Sequence, residues 1–126
     1  MKVLQILESA YRATVEEQDD TVIWLTHTLK GAGASLDVLL TGNSVNYILN
    51  DQDASGLAFG AWRQTQPARL GADLAGLIGK GVKVYYLSED AHARGIGDDG
   101  MVTGVIAVNR SDVPGLLSGY DQVWCW

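Results

Sequence analysis

Glu89, Asp90, His92 and Arg94 crowd onto one short stretch of this chain and could do chemistry together. A guanidinium such as that of Arg94 can hold an anion or a partner's carboxylate, and His92 can move a proton near neutral pH. Asp90 and Arg94 stand four residues apart, so they can equally pair on one helix face. Asp90 with His92 falls short of a metal framework, because no third ligand accompanies them. A second polar group, Gly42-Asn43-Ser44 with Asn46, leaves a strand-like run. Its backbone N–H groups can receive an anion, or they can form an ordinary turn and cap. Cys125 is the one cysteine. It is either a sulfur acceptor or a small hydrophobe in the last strand, flanked by Trp124 and Trp126. His27 reads as a packed or solvated helix residue, and Gly97-Asp98-Asp99-Gly100 as a surface turn rather than a divalent-ion loop.

These residues need elements to position them. Val82 to Leu87 is a strand of β-formers entered through Gly81. Ser88 is expected to cap a short helix over Ala91 to Arg94, which Gly95 stops. A polar strand-to-helix turn at the carboxyl end of a parallel strand is where open α/β sheets keep ligands. Upstream, residues 2–7 read as a buried strand, and Glu16-Glu17-Gln18-Asp19-Asp20 as a solvated turn. Asp19 or Asp20 caps a helix whose apolar face carries Val22, Ile23, Leu25, Thr26 and Leu29, ended by Gly31 and Gly33. Residues 35–41 form a second strand, and Ser44 to Asn50 a short helix with Val45, Ile48 and Leu49 inward.

Residues 51–68 are broken by Gly56, Gly60 and Pro67. They are expected to make a partly helical excursion in which Phe59 and Trp62 are anchors, either in the core or on a subunit contact. Arg69 to Lys80 is a helix with Leu70, Leu74, Leu77 and Ile78 on one face. Gly104 to Val108 is a fourth strand, Ser111 or Asp112 caps a helix with Pro114 in its first turn, and Gln122 to Trp126 is the last strand. Strands alternating with helices predict an α/β fold over 1–126: a three-layer α/β/α sandwich on a mostly parallel five-stranded sheet.

With 126 residues, 47% of them hydrophobic, the chain can bury a real core. Its net charge of -6 and the absence of a basic run argue against nucleic acid as a direct partner. No apolar run approaches the ~20 residues of a membrane span. The start of the chain is too quickly polar for a signal peptide, which with a single thiol points to the cytoplasm. Neither a phosphate loop nor a catalytic triad is present, and no cofactor is implied.

Two stretches carry a family likeness. Lys83 to Ile96, with Glu89-Asp90 and Ala93-Arg94-Gly95, resembles the Val-Tyr-Ala-Leu-Asn-Glu-Asp…Ala-Arg-Gly stretch of the DsrH/TusB branch of the DsrE/DsrF/DsrH-like (TusB/TusC/TusD-like) sulfur-relay family. That branch also ends on Trp, as Trp126 does here. Gly33-Ala34 through Val38-Leu39-Leu40 and Gly42 to Tyr47 are similar to the second strand and turn of the DsrE-like branch. The resemblance implies a small α/β/α fold and assembly as a trimer or hexamer, with itself or with paralogous subunits. It also implies a sulfur-transfer partner, in a pathway such as intracellular sulfur oxidation or tRNA thiolation. Carrier members place a persulfide cysteine eight residues before the Gly of Arg-Gly, and some add one five residues before it, positions held here by Leu87 and Asp90. Neither can replace a thiolate.

The expectation is therefore a non-enzymatic, oligomeric subunit of this family that assembles or binds without carrying sulfur. Its candidate ligand-binding residues are Asn43, Asn46, Glu89, Asp90, His92 and Arg94. Two alternatives stand beside it. One is a protein, enzymatic or not, that handles a small-anion or nucleotide-like ligand at the 89–94 turn. The other is a sulfur carrier with Cys125 as a relocated thiol.

Overall fold

A computed structural model describes residues 1–12, 14, 18–52 and 55–126. Glu16 and Glu17 of the expected acidic turn lie outside the described residues. Five parallel strands make one sheet: β1 (Lys2–Leu7), β2 (Ser35–Leu40), β5 (Val84–Leu87), β6 (Ile106–Val108) and β7 (Gln122–Cys125), in the spatial order β6-β5-β2-β1-β7. Helix α1 (Thr21–Gly31) links β1 to β2, and α2 (Leu70–Gly79) lies between β2 and β5. The short helices α3 (Ser88–Ala93) and α4 (Val113–Leu117) follow β5 and β6. The sandwich read from the alternating pattern is the one observed, with every pairing in its sheet parallel.

The register sorts side chains onto two faces. Leu7, Val38, Leu40, Val84 and Tyr86 point to one face, where they pack with Val22 and Ile23 of α1 and Leu70, Leu74 and Leu77 of α2. Leu4, Ile6, Leu39 and Leu87 point to the other, which α4 covers thinly: no residue of α4 is buried. Both faces of β1 and β2 are thus occupied, and their apolar runs, Val3-Leu4 and Val38-Leu39-Leu40, do not alternate, as in central parallel strands. Asp20 begins α1 as expected: its Oδ1 accepts the main-chain N–H of Val22 at 2.9 Å and of Ile23 at 3.2 Å. Its Oδ2 accepts from the Tyr47 hydroxyl at 2.6 Å, and both residues are fully buried.

Four local expectations are corrected. Residues 51–68 are not helical where described. They carry an antiparallel ribbon, β3 (Ala58–Phe59) and β4 (Trp62–Arg63), closed at Gly60, whose φ of +59° suits glycine. Phe59 and Trp62 face each other across it with ring centroids 5.8 Å apart, and both are exposed, so they do not fill the core. The expected helix at 44–50 is a 3-10 helix, Gly42–Ile48, which buries Tyr47, while Leu49 is only half-buried. Ser88 is the first residue of α3 rather than its cap. Its hydroxyl is drawn to Asn109 Oδ1 at 2.7 Å instead, because β6 brings Asn109 alongside.

Candidate functional site

The carboxyl ends of β1, β2, β5 and β6 rise on the same side of the sheet, and the loops leaving them are stitched together there. The first seam joins the β1 and β2 exits. The Thr41 N–H donates to Leu7 O at 2.8 Å, and the Ser44 hydroxyl to the same oxygen at 2.6 Å. Gly42 then turns with φ +54°, and a Cβ there would sit 3.1 Å from Glu8 Cγ and 3.2 Å from Glu8 O. Only glycine fits so close to the neighbouring loop.

The second seam joins that turn to α3. The Gly42 N–H donates to Asp90 Oδ2 at 2.7 Å. Arg94 donates from Nε and Nη2 to Asn43 Oδ1, at 3.2 and 2.9 Å, and from Nη1 to Asp90 O at 3.0 Å. The two polar groups singled out in the sequence, at 42–46 and at 89–94, therefore meet. The expected Asp90–Arg94 ion pair does not form. The guanidinium takes the Asp90 carbonyl, and the Asp90 carboxylate is turned across the sheet toward Gly42 and Arg110.

The third seam joins α3 to the segment after β6. Arg110 Nη2 lies 3.0 Å from Asp90 Oδ1. The Arg110 main-chain N–H meets both carboxylate oxygens of Glu89 at 2.9 Å. That N–H holds the Glu89 carboxyl below its usual pKa, because it bonds only the charged form well. Asn43, Glu89, Asp90 and Arg94 are thus one hydrogen-bonded network. Asn46 supports it from outside, donating from Nδ2 to Asn43 O at 2.9 Å. His92 is exposed and stands apart from the network.

The seams frame a cleft of about 540 Å³ at the carboxyl edge of the thinly covered face. Its floor is Ile6, Leu39 and Leu87, its far wall Val113 and Pro114, and its rim Glu8, Thr41, Gly42, Asp90 and Arg110. An apolar floor with a few converging polar groups is the general form of a ligand site, and its place at strand carboxyl ends is the general place in an α/β sheet. Sequence reasoning missed Arg110, which lies far from the 89–94 turn in sequence. Its position just beyond a strand's carboxyl end was the signal that would have found it.

Cys125 is exposed, contrary to its reading as a buried hydrophobe. It pairs in register with Ile6, so it shares the face of the cleft floor one strand further out. On the opposite face His27 bridges α1 and α2, with Nε2 2.9 Å from Asp73 O and Nδ1 3.0 Å from Lys80 Nζ. Among the described residues no group of three His, Cys, Asp or Glu side chains converges as a metal site, and no helix is long and apolar enough to cross a membrane.

No family model and no curated protein matches the chain by sequence. Solved structures do. The YchN protein of E. coli superposes with a TM-score of 0.69 at 16% identity, over 99% of this chain and 98% of that one. A protein of unknown function from Methanobacterium thermoautotrophicum gives 0.66 at 17% identity, over 98% and 97%. A conserved protein of unknown function from Bacteroides thetaiotaomicron gives 0.66 at 14% identity, over 99% and 95%. At such identities the likeness establishes a common fold from end to end.

Proposed function

We propose that this chain is a non-catalytic, cytoplasmic binding subunit of the DsrE-like sulfur-relay class. In this reading it assembles with copies of itself or with paralogous subunits and receives a ligand or partner segment in its carboxyl-end cleft without carrying sulfur there. One observation carries the reading. Leu87 and Asp90, which hold the positions of the carrier thiols in the resembling branches, both line the cleft. The place is kept while the chemistry is changed. Leu87 contributes apolar floor. The Asp90 carboxylate is committed to Gly42 and Arg110, so it braces the rim instead of acting as a nucleophile. The polar network that would have served an enzyme is likewise internally satisfied, with Arg94 spent on Asn43 and on the Asp90 carbonyl.

A second reading is favoured by the exposure of Cys125 and its register beside Ile6: a relocated thiol working from the rim of the same face. Native mass spectrometry before and after exposure to a persulfide donor separates the two. The first reading expects a trimer or hexamer that gains no sulfur. A mass increase of one sulfur atom that disappears in Cys125→Ser would replace it with the second, and a monomer in all conditions would remove the assembly part.

A further inference from the structure

The segment after β6 is attached to the body unevenly. Arg110 is fastened to Glu89 and Asp90 at one end. At the other, the Tyr120 hydroxyl donates to Asp37 Oδ2 at 2.6 Å, and Lys2 Nζ sits 4.6 Å from the centre of the Tyr120 ring. Between them, the hydrogen bonds of residues 111–119 are local: Asp112 N–H to Asn109 O, Ser118 N–H to Pro114 O, Gly119 N–H to Leu116 O and the Ser118 hydroxyl to Gly115 O. None of these residues is buried, yet Val113 and Pro114 among them wall the cleft over Leu39, which is 1% exposed, and Leu87, 4% exposed. Gly115 and Gly119 add backbone freedom within the span.

We propose that residues 111–119 are a strap that lifts to admit an apolar group into the cleft, with Arg110 and Tyr120 as its two latches. The inference rests on the cleft being a binding site and adds how that site is opened. A segment with few buried contacts and only local hydrogen bonds belongs to the low-stability end of a fold, where lids are found. Lifting it uncovers leucine floor. The closed form is therefore preferred when the cleft is empty, and the open form gains population when an apolar group takes the strap's place on the floor. The latches set the balance. The Tyr120 latch faces Asp37, Lys2 and Tyr85, and the Arg110 latch faces Glu89 and Asp90.

Adjacent residues of β2 provide the test. In a Cys125→Ser background, Leu39→Cys reports the roofed face and Val38→Cys, whose native residue is 0% exposed, reports the helix-packed face. Native-state labelling by a thiol reagent should be faster at position 39 than at 38. Adding Tyr120→Phe, which leaves the cleft rim untouched, should raise the rate at 39 by about tenfold, the effect of one lost hydrogen bond, and leave 38 unchanged. Leu87→Cys replaces Leu39→Cys if the latter does not fold. Equal rates at both faces, or an equal rise at both with Tyr120→Phe, would mean that the face opens only by global unfolding and would overturn the strap. Since no ligand is used, this failure is distinct from failure of the binding reading, which would show as an intact, openable cleft that no partner or ligand protects from labelling.

Discussion

Asp90 is the keystone of the rim, and replacing it separates two contributions. Its Oδ2 accepts the Gly42 N–H at 2.7 Å, and its Oδ1 meets Arg110 Nη2 at 3.0 Å. A charged acceptor on a half-buried N–H contributes roughly 1.5–3 kcal/mol. The pair with Arg110, whose side chain is largely in solvent, contributes about 0–1 kcal/mol. Asp90→Ala removes both and should cost about 2–3 kcal/mol. Asp90→Asn keeps an acceptor for Gly42 and loses the charge, so it should cost about 1 kcal/mol. Urea unfolding followed by tryptophan fluorescence measures the difference directly. Thermal scans should show about 3–5 °C per kcal/mol for a chain of this size. The gap between wild type and Asn should narrow in molar salt, where screening is effective within about 3 Å, while the gap between Asn and Ala should persist. If Asn proves as damaging as Ala, the Gly42 bond is not what Asp90 supplies. An Ala variant within about 0.5 kcal/mol of wild type would mean that the seam does not stabilise the rim at all.

Three further outcomes are expected. Asp20→Ala should lose about 2–4 kcal/mol, combining a lost helix cap with a buried Tyr47 hydroxyl left without its acceptor. Asp20→Ser should regain about 1 kcal/mol by restoring the cap alone, and denaturant titration of the pair checks this. Gly42→Ala should cost about 1–2 kcal/mol through its left-handed backbone, with further crowding against Glu8, and the same titration reads it. Asp73 is pushed up to about 7, first by burial and then by its hydrogen bond and repulsion with Asp19. Its Oδ2 is sealed without a hydrogen-bond partner, which adds to the cost of ionising the carboxyl. The folded chain therefore holds a proton that the unfolded chain releases near pH 4. Stability should fall as pH rises from about 4 to about 7 and level off above that. Asp73→Asn should flatten this slope and stabilise the chain above pH 7 by about 1–2 kcal/mol, a value reduced for partial solvent exposure. A slope that survives the substitution would assign it to another group.

The fold was legible in the sequence to the extent that burial writes itself into composition. Val3-Leu4 in β1 and Val38-Leu39-Leu40 in β2 are apolar on both faces because helices lie on both, and that is the signature of a central parallel strand. Asp20 announced α1 through cap chemistry that acts locally. Strand order was not legible, since a strand apolar on both faces says nothing about its neighbours. The ribbon at 58–63 was misjudged because Phe59 and Trp62 look like core anchors, whereas they satisfy each other across a turn. In the site, the 89–94 turn and the 42–46 turn were both visible. Their junction was not, because the side chain of Asp90 is decided by Gly42 and Arg110, which the fold delivers from afar and which outcompete a neighbour four residues away. Arg110 carries no motif, and the exposure of Cys125 depends on β7 being an edge.

The strand order has a kinetic side. From β1 through β6, each new strand of the sheet docks beside the one that preceded it in the sheet, so the growing structure always meets its next partner at the nearest open edge. Only β7 must travel back past β5 and β2 to reach the far side of β1, where it pairs in parallel from Val3–Gln122 to Ile6–Cys125. The β1–β7 pairing joins the residues furthest apart in sequence within the sheet, which makes it the natural late event in folding. Until it happens, β1 is an open edge with a hydrophobic row on each face, the kind of surface that recruits strands from other molecules. During synthesis this hazard lasts until β7 has been made, so the yield of native protein should depend on how quickly β7 arrives to cover β1.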